Sequence, residues 1–121
     1  MVRLQAVRQG LKTGVLDEAA EFLDVSRQAL LEAIGIPVST VTRKAKARTL
    51  LSREESDKVD RVARAVRRAL EVFGDKAQAR AWLTDPVLTL GGRKPLDMLD
   101  SHAGFELVMD TLGQILYGAP A

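Results

Sequence analysis

The chain has 121 residues, 46% of them hydrophobic but only 4% aromatic, with 18 basic and 16 acidic side chains and no cysteine. That length holds one compact domain or two small ones on a shared core and excludes a large enzyme, while the missing cysteines exclude disulfides and thiolate metal sites. Charge divides along the chain: residues 1–80 carry 16 basic and 11 acidic groups, residues 81–121 carry 2 and 5, so a basic front and an acidic back imply two different partners.

Helical spacing recurs throughout and β-type alternation is nowhere sustained, which predicts an all-α fold with a core of Leu, Val, Ile and Ala. After a polar N-terminal arm, "LDEAAEFL" (16–23) places Leu16, Ala19, Ala20 and Leu23 on one helix face. Ser26 is positioned to cap "RQALLEAI", Gly35 to end it in a left-handed conformation, and Pro37 to open the next helix. Ser52 and Glu55 stand at capping-box spacing before a long helix striped by Val59, Val62, Val66, Leu70 and Phe73 and stopped at Gly74. Asp75 caps "KAQARAWL", Pro86 suggests a further helix start, Gly91 and Gly92 end that element, and Pro95 starts a brief turn. Ser101 caps a last helix whose apolar face is Phe105, Val108, Met109, Leu112, Ile115 and Leu116, closed by Gly118. Trp82, Leu83, Leu88, Leu90, Leu96, Met98 and Leu99 read as core.

Helix, three-residue turn and helix over 26–48 form a helix-turn-helix, with Val41 facing back to the core. Five basic side chains and no acidic one fall between residues 39 and 53. Such a stretch gains affinity for DNA by counterion release, and hydroxyls and Arg early in the second helix can reach base edges. The candidate DNA contacts are Ser39, Thr40, Arg43, Lys44, Lys46 and Arg48. The pattern resembles the Xre-type helix-turn-helix repressors, departing from them at Leu31, where a small residue is usual, and at Lys44, where an apolar one is. Reading palindromic sites as dimers, as that family often does, implies a homodimer here.

Downstream, "ARAWL" (79–83), Pro86, "LGGRKPLDML" (90–99), "GFELVMDTL" (104–112) and the closing Tyr117 and Gly118 occur in a distinctive order. Over residues 75–118 this resembles the toxin-binding domain of the Xre/MbcA/ParS-like antitoxins. The expected organisation is an Xre-like helix-turn-helix domain over 1–51, a connecting and dimerising helix over 52–74, and a small helical toxin-binding domain over 75–121. The resemblance implies a type II antitoxin that blocks the active site of an NAD-degrading RES-domain toxin and represses their shared operon. Its implied plug is Tyr117, Gly118, Ala119, Pro120 and Ala121, beside an acidic surface of Asp100, Glu106 and Asp110 suited to basic groups around a phosphate-binding pocket. The alternative is a helix-turn-helix regulator whose C-terminal part only dimerises.

Enzymatic chemistry finds no support in the residues. His102 is the single histidine and reads as a helix-start residue; "GGRK" lacks the spacing and hydroxyl of a nucleotide loop; and Glu54, Glu55 and Asp57 answer a helix dipole. No enzyme, cofactor or metal is expected. No apolar run approaches the ~20 residues that span a bilayer, and the N-terminus lacks the apolar block of a signal peptide, so a cytoplasmic protein is expected.

Overall fold

The computed structural model describes residues 2–118, with side chains from Ala6 onward. Among these residues the helices are α1 (Val2–Gln9), α2 (Gly14–Leu23), α3 (Arg27–Ile34), α4 (Val38–Ala47), α5 (Arg53–Phe73), α6 (Lys76–Thr84) and α7 (His102–Tyr117), with 3-10 turns at Leu88–Leu90 and Pro95–Met98. The all-α expectation holds, and the local punctuation works as the residues suggest. Ser26, Asp75 and Ser101 accept from the backbone N–H groups of Ala29, Gln78 and Gly104. Ser52 and Glu55 form a complete capping box, satisfying in both directions groups that a helix start leaves unpaired.

α5 is the axis of the fold, about 30 Å long at 1.5 Å per residue. Its first half packs against α1 and α2, its second against α6 and α7, and a single apolar core runs from Leu16 through Val59, Val62 and Leu83 to Leu112. The fully buried line on α5 begins on the expected stripe with Val59 and Val62, then shifts to Ala65 and Ala69, leaving Val66, Leu70 and Phe73 half-buried. Alanines there let neighbouring helices approach closely. Each fully buried Leu or Val contributes about 1.5–3 kcal/mol.

Basic side chains of α5 and α6 tie down backbone carbonyls that the helices and turns leave open. Lys58 Nζ donates to the Gly35 carbonyl at 2.9 Å, Arg61 to the carbonyls of Leu99 at 3.0 Å and Asp100 at 3.1 Å, and Arg80 to Phe22 at 2.7 Å. The turn of the helix-turn-helix is thereby pinned to α5, and the start of α7 is pinned to the same helix one turn on. At Gly104 an added Cβ would lie 2.0 Å from the Met98 carbonyl oxygen, so only glycine lets α7 seat on the second 3-10 turn.

Four expectations are corrected. The polar arm is helical: α1 packs on α5 with Val7 buried, and the segment after it is held where the Leu11 N–H donates to the buried Ser56 hydroxyl at 2.9 Å. Pro86 starts no α-helix, because Val87 and Arg93 pair across an antiparallel bridge that closes a tight loop containing the first 3-10 turn. Leu88, at the tip of that loop, is 90% exposed rather than core. On α7, Phe105, Val108 and Leu112 are buried as expected, but Ile115 and Leu116 are exposed.

Candidate DNA-reading and toxin-binding surfaces

The orientation of α4 is set by Val41, which is wholly buried, and by the left-handed Gly35 that fixes how α3 hands over to it. With 100° per residue, Ser39, Arg43 and Lys46 then share the side opposite Val41, and all three are exposed. Thr40 sits half-buried at the margin. Thr42, also exposed, donates its hydroxyl back to the Val38 carbonyl at 3.0 Å. Arg48 ends the helix at φ +56, its chain direction breaking away from the α4 axis. The described part of this surface is polar and basic, without a carboxylate on α4 itself.

Lys44 does not join the outward group. Its ammonium is 2.5 Å from Glu55 Oε1, and the two side chains are only 16% and 18% exposed. The same carboxylate oxygen accepts from the Ser52 N–H at 2.7 Å, so one atom closes the capping box of α5 and holds α4 against it. Partial burial pushes the Glu55 carboxyl up, but the Lys44 ammonium and the Ser52 N–H and hydroxyl outweigh that and hold it below the usual carboxylate value. The unusual lysine at this position is an internal strut. Leu31, the other departure, is fully buried between the crossing helices.

At the other end, Glu106, Asp110 and Tyr117 fall on one outward strip of α7, as their spacing of four and then seven residues requires. His102 Nε2 reaches Glu106 at 2.8 Å. Asp100 lies exposed just before the helix, its carbonyl taken by Arg61. Tyr117 is 79% exposed, and its hydroxyl joins Glu71 around Arg68, both of them holding that guanidinium above its ordinary value against the effect of desolvation. Gly118 caps the helix at φ +67. Ala119, Pro120 and Ala121 lie outside the described residues.

Sequence reasoning missed the apolar part of this end. Leu107, Ile115 and Leu116 are between 39% and 49% exposed; at 100° per residue Leu107 and Leu116 flank the acidic strip, while Ile115 lies on the far side of the helix. The period marks Ile115 and Leu116 as inward, and only the packed structure shows that they stay exposed. No helix among the described residues is long and apolar enough to cross a membrane.

Known families divide the chain at the same axis. Residues 2–64 match the antitoxin Xre-like helix-turn-helix domain, and residues 68–118 match the antitoxin Xre/MbcA/ParS C-terminal toxin-binding domain. The chain is similar to the Antitoxin Xre of Yersinia enterocolitica serotype O:8, with 29% identity over 97% of this chain and 80% of that protein. It is also similar to the Antitoxin Xre of Photorhabdus laumondii, with 27% identity over 93% and 76%, and to the Prs ADP-ribosylating antitoxin of a Sphingobium strain, with 27% over 97% and 79%. With a helix-turn-helix match covering more than half its length and a toxin-binding match covering most of the remainder, the chain belongs to the Xre family of antitoxins.

Proposed function

We propose that this antitoxin neutralises an NAD-degrading RES-type toxin by obstructing its active site and, as a homodimer, represses its own operon. Residues 1–51 act as the reading head, 52–74 as the connecting and dimerising helix and 75–121 as the toxin-binding part. Ser39, Arg43 and Lys46, with Thr40 and Arg48 at the margins, contact operator DNA. Asp100, Glu106 and Asp110 face basic groups around the toxin's pocket, while Tyr117 and the residues after it enter its mouth. The observation that carries the reading is the coupling, on one core, of a carboxylate-free outward face of α4 with a helix end that keeps Ile115, Leu116 and Tyr117 uncovered. Apolar groups left exposed on a well-capped helix are what a partner buries. The Sphingobium relative's name carries ADP-ribosylation, a chemistry that draws on NAD.

Val66, Leu70 and Phe73 of α5 are half-buried and are the part of the connecting helix that pairs in the homodimer. The deciding experiment is growth and cellular NAD after induction of the adjacent gene, with this protein absent, intact, or lacking residues 117–121. Rescue of both growth and NAD by the intact chain alone supports the plug. A harmless neighbour, or failure of the intact co-expressed chain to rescue, returns the C-terminal part to a dimerising role in a DNA-binding regulator.

A further inference from the structure

Beside α4, on the flank away from Arg43, the surface dips into an open depression of about 350 Å³. Lys12 and Thr13, from the segment between α1 and α2, line one side; Arg48 and Thr49, where α4 ends, line the other; Ala45 and Leu50 are also in its wall. Among the described residues no carboxylate lines it. Lys12, Arg48 and Thr49 are exposed, and the Thr13 hydroxyl makes no capping bond to α2. Arg48 adopts φ +56, a backbone conformation that favours glycine, yet a long cation is kept there.

We propose that this depression is a seat for the DNA phosphate backbone, with Lys12 and Arg48 as its charged jaws and the hydroxyls of Thr13 and Thr49 as neutral donors. The inference rests on the reading that α4 contacts DNA. Two observations select a nucleic-acid backbone as the occupant. The charge is of one sign, with two cations and no compensating acid among the described residues of the wall. The seat also adjoins the C-terminal end of the reading helix, since Arg48, which caps α4, is in its wall. Contacts of this kind fix register on the duplex without reading sequence.

The test is a salt titration of binding by the full chain to two 30-bp duplexes, one from immediately upstream of its own coding sequence and one of scrambled sequence. Each of Lys12→Gln and Arg48→Gln is expected to reduce the slope of log affinity against log salt by about 0.9, and the pair by about twice that. Between 50 and 200 mM salt each single variant therefore loses about 3.5-fold less affinity than the wild type does. The weakening is equal on both duplexes, and Lys12→Arg and Arg48→Lys restore the slope. Circular dichroism melts accompany each variant, so that a folding defect is recognised and the conservative variants decide the matter. Unchanged slopes in the Gln variants overturn the seat while leaving DNA reading by α4 intact. Absence of wild-type binding to either duplex overturns the DNA reading and the seat together.

Discussion

Lys44 Nζ lies 2.5 Å from Glu55 Oε1, joining the reading helix to the first turn of α5. Because both side chains are largely withdrawn from water, the pair fixes how far α4 stands from the axis of the fold. Replacing Lys44 with Met is expected to cost about 1–3 kcal/mol, the range for a hydrogen bond to a charged group, measured as a lower urea midpoint. The salt dependence of DNA binding should keep its wild-type slope, since no phosphate contact is lost. A slope reduced by about one would return Lys44 to the DNA surface.

The same carboxylate sets a pH dependence. Glu55 has a folded pKa below its ordinary 4.5, so its contribution is fully present above the unfolded value and is lost as pH falls through the folded one. The stability gap between wild type and Glu55→Gln should therefore be constant near neutrality and narrow progressively below about pH 4.5. Denaturant midpoints of the two proteins measured from pH 7 to pH 3 check this, and a gap that widens on acidification would contradict it.

Two glycines of α7 should respond oppositely to alanine. Gly104→Ala drives a Cβ into the Met98 carbonyl, 2.0 Å away, and should cost about 1–3 kcal/mol as the helix lifts off the 3-10 turn. Gly113→Ala meets only the end of the Arg68 side chain at 3.6 Å, an ordinary contact, and should stabilise by about 0.5–1 kcal/mol through helix propensity. Thermal melts of the two variants should move to opposite sides of the wild type.

Arg43 is exposed on the outward side of α4. Arg43→Gln should weaken binding to the upstream duplex more than to a scrambled one if it reaches a base edge, by about 1–3 kcal/mol. Equal weakening on both duplexes, with a slope lower by about one, would make it a phosphate contact instead. Competition between the two duplexes at fixed salt separates the cases.

At the far end, Ile115→Asp with Leu116→Asp should abolish rescue from the toxin while leaving the melting temperature and DNA affinity near wild type. Both residues are exposed, and surface substitutions of this kind usually change stability by no more than about 0.5 kcal/mol. Retained rescue by this double variant would remove the apolar end of α7 from the toxin interface.

What the residues made legible is local. Ser26, Ser52, Asp75 and Ser101 announce helix starts, and Gly35, Gly74 and Gly118 announce stops, because each acts within four residues of itself. What was hidden depends on distant neighbours. The first helix has Val7 as its buried anchor and is confirmed only by α5 lying beneath it. Lys44 looked like one more cation in a basic run because nothing local says that Glu55, 11 residues later, folds back to meet it. Pro86 carried a helix-start signal that the Val87 and Arg93 pairing overrode. On α7 the period marks Ile115 and Leu116 as inward, and their exposure shows only in the packed structure.

The placement of α5 has a bearing on how this family diversifies. Lys58 holds the turn before the reading helix, Arg61 holds the approach to α7, and Gly35 comes within about one van der Waals contact of Asp100, 4.0 Å from an added Cβ to the Asp100 Cβ. A chimera spliced at residues 64–68 would join two half-helices from different parents and set one parent's Arg61 against the other's approach to α7, while Lys58 keeps its own parent's Gly35. On the outer side of α4, by contrast, Ser39, Arg43 and Lys46 can vary without touching the bonds that Lys58 and Arg61 make from the axis.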